Sequence, residues 1–171
     1  MKSVLISIRP EWCEKIASGE KTVEVRKTRP KLEPPFKVYV YQTKHREHNG
    51  PTYSDGKVIG EFVCDDITKI LNFITHFGVE GRSECELNTI ARCSCLDYMD
   101  MLGYLGIDKD GYAWHISDLN IYESPRSIGE FCKPCDPDPQ CDCRYCITHG
   151  RSPSKVVHAP QSWCYVEEVT P

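Results

Sequence analysis

No apolar run in this chain approaches the roughly 18 residues that a membrane-spanning helix needs, so an integral helical membrane protein is excluded. Low-complexity tracts and repeats at a solenoid period are also missing, which removes fibrous and repeat architectures. Neither G-x-S-x-G, nor H-E-x-x-H, nor a P-loop occurs, so the common hydrolase and nucleotide-binding signatures give no lead. The stretch MKSVLISIRPEW reaches Arg9 and Pro10 after five apolar residues, too short a run for a signal peptide, and reads as a strand. With no export leader expected, a reducing cytoplasm is the expected setting, where eleven cysteines read as thiols or metal ligands before disulfides.

What is present fits one globular domain: 171 residues, 40% apolar and 27% charged. The net charge of −4 conceals an asymmetry. Residues 1–47 hold eleven Lys and Arg against six acids, and the remainder is strongly acidic. Local charge decides whether a phosphate-bearing partner is attracted, although solvated Lys and Arg are also ordinary on strands and loops.

Periodicity and punctuation predict an α+β protein. SVLISI (3–8) is β-rich. Pro10 suits the first turn of a helix over 10–18, with Trp12 and Ile16 on one face and Gly19 as its stop. KTVEVRK (21–27) alternates, so Val23 and Val25 face the core while Thr22, Glu24 and Arg26 take the other side. Residues 36–43, 57–67, 111–122 and 162–169 read as further strands, 44–56 as a polar loop and 94–106 as a helix. Residues 68–93 do not decide between strand and helix.

Residues 132–155 contain five cysteines, four prolines and almost nothing apolar, so they cannot build a core of their own. They read as an insert into a domain formed by 1–131 and 156–171. Cys132 with Cys135, and Cys143 with Cys146, form two C-x-x-C knuckles that would offer the four thiolates zinc prefers; Cys141 and His149 are alternates. Such a closed set makes zinc structural rather than catalytic, and metal binding would supply the missing folding energy. Iron–sulfur ligation and a loop of free thiols use the same residues. The Cys93–Cys95 pair is a C-x-C and says little alone.

The stretch SIRPEWCEKIASGEKTVEVRK carries G-x-K-x-x-E-x-R at Gly19, Lys21, Glu24 and Arg26. This stretch, with GYAWHISDLNIYESPRSIGEF and APQSWCYVEE, resembles the ASCH domain family of the PUA-like superfamily, bacterial and phage branch. The resemblance implies a small PUA-like β-barrel with flanking helices, a cleft beside the motif, and binding of RNA or a modified nucleoside. Some members of the family are amidohydrolases on acetylated cytidine or ribonucleases. For the former, Lys21 matches the catalytic lysine, with Glu24 as the acid, while Thr22 departs from the family threonine's position.

Read without the family, Arg26 offers a planar fork for phosphate, Glu24 can hold it, and Lys21 could serve as base or nucleophile. The plain alternative is a surface ion-pair set worth little. Arg29, Glu61, Trp114 and His115 complete the candidate ligand set; Trp114 would stack on a base or sit in the core, and His115 would be catalytic or merely satisfied. Three readings remain: a binding module for RNA or a modified nucleoside, a small hydrolase, and a zinc-stabilised adaptor. For the insert, reduced purified protein is expected to carry about one zinc per chain, lost in Cys132→Ser with Cys135→Ser; metal analysis that finds none would refute the zinc assignment.

Overall fold

The computed structural model describes residues 1–46, 52–72, 77–79, 84–106, 109–134 and 154–169. Its elements are β1 (Lys2–Ile8), α1 (Pro10–Ala17), β2 (Val23–Arg26), β3 (Phe36–Gln42), β4 (His45–Arg46), β5 (Thr52–Ser54), β6 (Lys57–Cys64), β7 (Ile67–Asn72), β8 (Phe77–Val79), α2 (Glu84–Ser94), α3 (Tyr98–Leu105), β9 (Gly111–His115), β10 (Ser117–Arg126), a 3-10 turn (Ile128–Glu130) and β11 (Trp163–Glu167). The expected strand over 111–122 is two strands, interrupted at Ile116, with Asp118 in the left-handed region at φ 45°. The undecided stretch 68–93 supplies β7, β8 and most of α2.

The chain forms two compact units. One contains Met1–Pro10, Lys37–Glu61 and Asn120–Pro171; the other contains Glu11–Phe36 and Phe62–Leu119. The frame of the first is a five-stranded sheet in the order β10-β6-β3-β1-β11. β1 pairs antiparallel with β11 and parallel with β3. Parallel neighbours cannot be joined by a hairpin, so a long connection is required, and here it carries α1, β2 and the whole charged motif. On one face of this sheet Leu5, Tyr39, Tyr41, Val58, Phe131, Val156 and Val166 form a core. Gly60 of β6 lets the β10 backbone come close: a Cβ there would lie 2.5 Å from the Asn120 carbonyl oxygen and 3.1 Å from Ile121 Cα.

The ends of residues 132–155 are anchored in this same unit. Cys132 and Lys155 face each other in an antiparallel bridge. Val156 N–H donates to the Phe131 carbonyl at 2.8 Å, and Lys133 N–H to the Ser154 carbonyl at 2.7 Å. Phe131 and Val156, one on each side of this stem, are core residues, and Phe131 packs edge-on against Tyr39 at 4.9 Å.

The second unit has a four-stranded sheet in the order β2-β9-β7-β8. Val23 and Val25 of β2 and Ala113 of β9 point to one face and pack with Ile90 of α2 and with Met101 and Leu105 of α3. Among the described residues both larger ladders end in edges, at β10 and β11 and at β2 and β8, so they do not close the barrel that the resemblance implies. No described helix is long and apolar enough to cross a membrane. Gly60→Ala is expected to lower stability by about 1–3 kcal/mol through overpacking against backbone. Urea denaturation should show a lower midpoint at an unchanged slope; an unaltered midpoint would mean that the strands separate without cost.

Candidate functional site

The site begins at the end of α1. Its last carbonyls need partners, and the chain reverses at Gly19, φ 77°, to supply them. Gly19 N–H donates to the Ile16 carbonyl at 3.0 Å, and Lys21 N–H to the Lys15 carbonyl at 2.9 Å. Lys21 is thereby turned inward. Its ammonium donates to the carbonyl of Ser94 at 2.7 Å. Ser94 is the last residue of α2, so the cation caps a helix C-terminus, where the backbone dipoles favour positive charge. Thr22 N–H donates to the neighbouring Cys93 carbonyl at 2.9 Å, and the Thr22 carbonyl accepts from Ile116 N–H.

Glu24 stands between the two cations. Its Oε2 lies 3.3 Å from Lys21 Nζ and its Oε1 2.9 Å from Arg26 Nε. Lys21, Glu24 and Arg26 are 2, 7 and 7% exposed, so the set is interior and not the solvated surface cluster that charge alone allows. β2 is therefore buried on both faces, valines on one and charge on the other. Charges taken from water at such depth are tolerated only when paired. The pairing leaves two cations for one carboxylate, offset in part by the end of α2.

Aromatic groups flank the set. The Lys21 ammonium lies 5.2 Å from the centre of the half-buried Trp12 ring, and Lys15 reaches the same ring at 5.9 Å. The Tyr104 hydroxyl hydrogen-bonds Arg26; burial, opposed by Arg26, raises its pKa. Lys27 stands 5.3 Å from the Tyr104 ring. Cys13 of α1 is fully buried, and burial, with the Glu24 charge second, pushes its thiol up to about 12. It is a packing group and no nucleophile.

Of the other sequence candidates, Trp114 and His115 stand across from Glu24 and Val23 in the β2–β9 ladder. Trp114 is fully buried and packs edge-on against Phe36 at 6.1 Å, as core. Arg29 is spent on its own loop, with the Pro30 and Leu32 carbonyls and Glu33 as partners. Glu61 belongs to the other unit, where it accepts from Tyr122 at 2.6 Å and from Lys37 at 3.2 Å. His115 is half exposed with Nδ1 2.6 Å from Asp65 Oδ1. An ionised carboxylate only accepts, so Nδ1 carries the hydrogen. That bond is the main reason Asp65 titrates below the usual range.

Of the proposed zinc ligands, Cys132 is half-buried and in no disulfide. Cys135, Cys141, Cys143, Cys146 and His149 lie outside the described residues. Among the described residues no group of three or more His, Cys, Asp or Glu is placed to hold a metal. Sequence reasoning missed Ser94 and Tyr104. Ser94 acts through a backbone carbonyl, which no residue type announces. Tyr104 stood inside an expected helix with nothing to set it apart.

Glu24→Gln keeps the shape of the side chain and removes the charge that both cations share. It is expected to cost about 3–5 kcal/mol, the usual penalty for breaking a buried ion pair. Chemical denaturation measures this, and a loss of less than about 1 kcal/mol, the range of exposed pairs, would show that the set is solvated.

The chain matches the profile of the ASCH domain over residues 6–124. It is similar to the crystal structure of ASCH from Zymomonas mobilis, at 18% identity and a TM-score of 0.56, over 97% of this chain and 88% of that one. A tyrosine-to-phenylalanine variant of that protein matches at 19% identity and 0.55, over 98% and 92%. A serine-to-alanine variant matches at 17% and 0.56, over 97% and 89%. At these identities the likeness is one of fold. A search of curated proteins finds no match. Since the profile match takes in most of the sequence and the entire charged motif, this chain belongs to the ASCH domain family.

Proposed function

We propose that this ASCH domain protein binds RNA or a modified nucleoside at the surface carried by the Lys21–Glu24–Arg26 set. The observation that carries the reading is the convergence of these three side chains into one buried group with a surplus of positive charge. Buried charge of this kind holds a fixed geometry, and the half-buried Trp12 and the Tyr104 ring attached to it are suited to stacking on unpaired bases. Lys27 and Lys15, each beside one of these rings, add attraction for phosphate.

Binding is supported over hydrolysis by the position of Lys21. To act as base or nucleophile its amine would have to give up both a carboxylate and a helix-end carbonyl. The adaptor reading loses its support because the charged residues are gathered inward rather than spread over the surface. The cysteine-rich insert is proposed to hold structural zinc through Cys132, Cys135, Cys143 and Cys146, with its ends fixed by the stem at Cys132 and Lys155.

Single-stranded RNA oligonucleotides are the test. Affinity is expected to fall with salt, and Tyr104→Ala and Arg26→Gln, each checked for intact fold by circular dichroism, are expected to weaken binding about tenfold. Lys109→Ala should stay within about twofold of the parent, as a charge outside the motif. Equal small losses in all three variants would reduce the effect to general electrostatics. Turnover of acylated nucleosides by the parent, abolished in Lys21→Arg, would replace the binding reading with the hydrolase.

A further inference from the structure

The end of α2 carries two cysteines that the charged set does not use. The helix closes in the backbone pattern that usually places a glycine just after it. Leu96 N–H donates to the Ala91 carbonyl at 3.2 Å, and Cys95 N–H to the Arg92 carbonyl at 3.1 Å. The residue in the glycine position is Cys95, in the left-handed region at φ 57°. A side chain is strained there, and this one is a half-buried free thiol. Its Sγ has two acceptors, the Glu20 backbone carbonyl at 3.6 Å and Glu20 Oε1 at 3.8 Å. The Lys15 ammonium holds the same carboxylate at 2.9 Å, so a thiol, an acid and a cation meet at the surface.

The second sulfur, Cys93, is half-buried and packs against the core of Val23, Ile90 and Met101. Residues two apart in a helical turn have Cα atoms about 5–6 Å from each other, within disulfide range. The two thiols nevertheless engage different surroundings, one the core and the other Glu20. Joining them requires the last turn of α2 to move. That turn is docked residue by residue on the start of the motif. Thr22 N–H holds the Cys93 carbonyl at 2.9 Å, the Lys21 ammonium holds the Ser94 carbonyl at 2.7 Å, and Glu20 holds Cys95. Moving the sulfurs together therefore moves the carbonyl between them.

We infer that Cys95 and Cys93 form a peroxide-sensitive thiol pair, and that closing it into a disulfide withdraws the Ser94 carbonyl from Lys21. The Cys95 sulfur bonds one peroxide oxygen, the O–O bond breaks, and the thiol proton passes by way of the Glu20 carboxylate to the departing oxygen. Hydrogen peroxide thus leaves a sulfenic acid on Cys95 and one water. The Cys93 sulfur then attacks the Cys95 sulfur, the S–O bond breaks, and the hydroxyl departs with the Cys93 proton as a second water. The two thiols give up two electrons in all, and the peroxide takes both. A dithiol reductant reverses the step by exchange. Partial exposure beside a resolving thiol marks such sites. Cys13 and Cys64 lack the exposure, and burial pushes their thiols up to about 12.

The full chain is treated with hydrogen peroxide, its remaining thiols are alkylated, and trypsin releases residues 93–109, which hold these two cysteines and no others. That peptide is expected to lose two hydrogens while Cys13 and Cys64 stay reduced. Cys93→Ser should stop at a sulfenic acid that dimedone traps. Cys95→Gly suits the left-handed position, keeps the fold and should leave Cys93 unoxidised. Hydrogen exchange reads the clamp. In the oxidised form the Thr22 amide is expected to exchange at least about tenfold faster. The Ser7 amide, bonded to the Ser162 carbonyl in the other unit, should keep its rate. Dithiothreitol should restore the slow exchange of Thr22. A 93–109 peptide that stays a dithiol under peroxide that oxidises free cysteine would overturn the inference, as would Cys95 bonded to a cysteine outside that peptide. So would a disulfide that leaves Thr22 exchange unchanged. Sulfur oxidation and amide exchange are read without RNA, so this inference and the binding surface can fail separately.

Discussion

A lysine ammonium held between a carboxylate and the end of a helix is the interaction on which the second unit depends. Lys21 meets Glu24 on one side and the Ser94 carbonyl on the other, in a setting almost closed to water. Leaving water costs such an ion several kcal/mol, so it settles only where both partners are already in place. That requirement links three elements. The turn after α1 must present Lys21, β2 must carry Glu24 three residues on, and α2 must stop at Ser94. The adjacent bond from Thr22 N–H to the Cys93 carbonyl fixes the same junction through the backbone. Apolar packing of Val23 and Val25 against Ile90, Met101 and Leu105 supplies the bulk of the attraction, but it would tolerate small slips that the charged contacts do not.

Much of this was legible in the sequence, for identifiable reasons. The alternation of 21–27 put the valines on the packed face and Glu24 with Arg26 on the other, because a strand has period two whatever surrounds it. Depth was not legible. Alternation says which face a side chain takes and nothing about what covers that face, so a buried ionic set and a solvated one look alike. Trp12 and Ile16 were expected to share the buried side of α1, yet Cys13 and Ile16 are the fully buried pair and Trp12 stands half out beside Lys21. The split between β9 and β10 was hidden because Ile116 is as good a strand residue as its neighbours. The left-handed Asp118 that follows belongs to a residue type that only tolerates that conformation.

The two units treat positive charge in opposite ways. Around Glu24 the cations are sheathed, and their reach to a ligand runs through the aromatic rings beside them. In a cleft beside Tyr41, Lys44 and Lys57 line an open wall. An interior ion pair sets orientation, while exposed lysines set the rate and salt dependence of encounter. Both kinds of charge arise from the basic first third of the chain, which remains acidic in sum.

The stem at Cys132 and Lys155 has a consequence for how this chain can vary. Phe131 and Val156 are committed to the core and bonded to each other, so the two ends of the intervening segment are already adjacent. A segment whose ends are clamped in this way adds to the folding cost only as the logarithm of its length, about 0.6 kcal/mol for each doubling. It can be lengthened, shortened or exchanged for a tight turn while the sheet beneath keeps its register. Natural variation in length and composition is therefore cheapest at this point of the domain, and a new binding element could be spliced in here without renegotiating the rest.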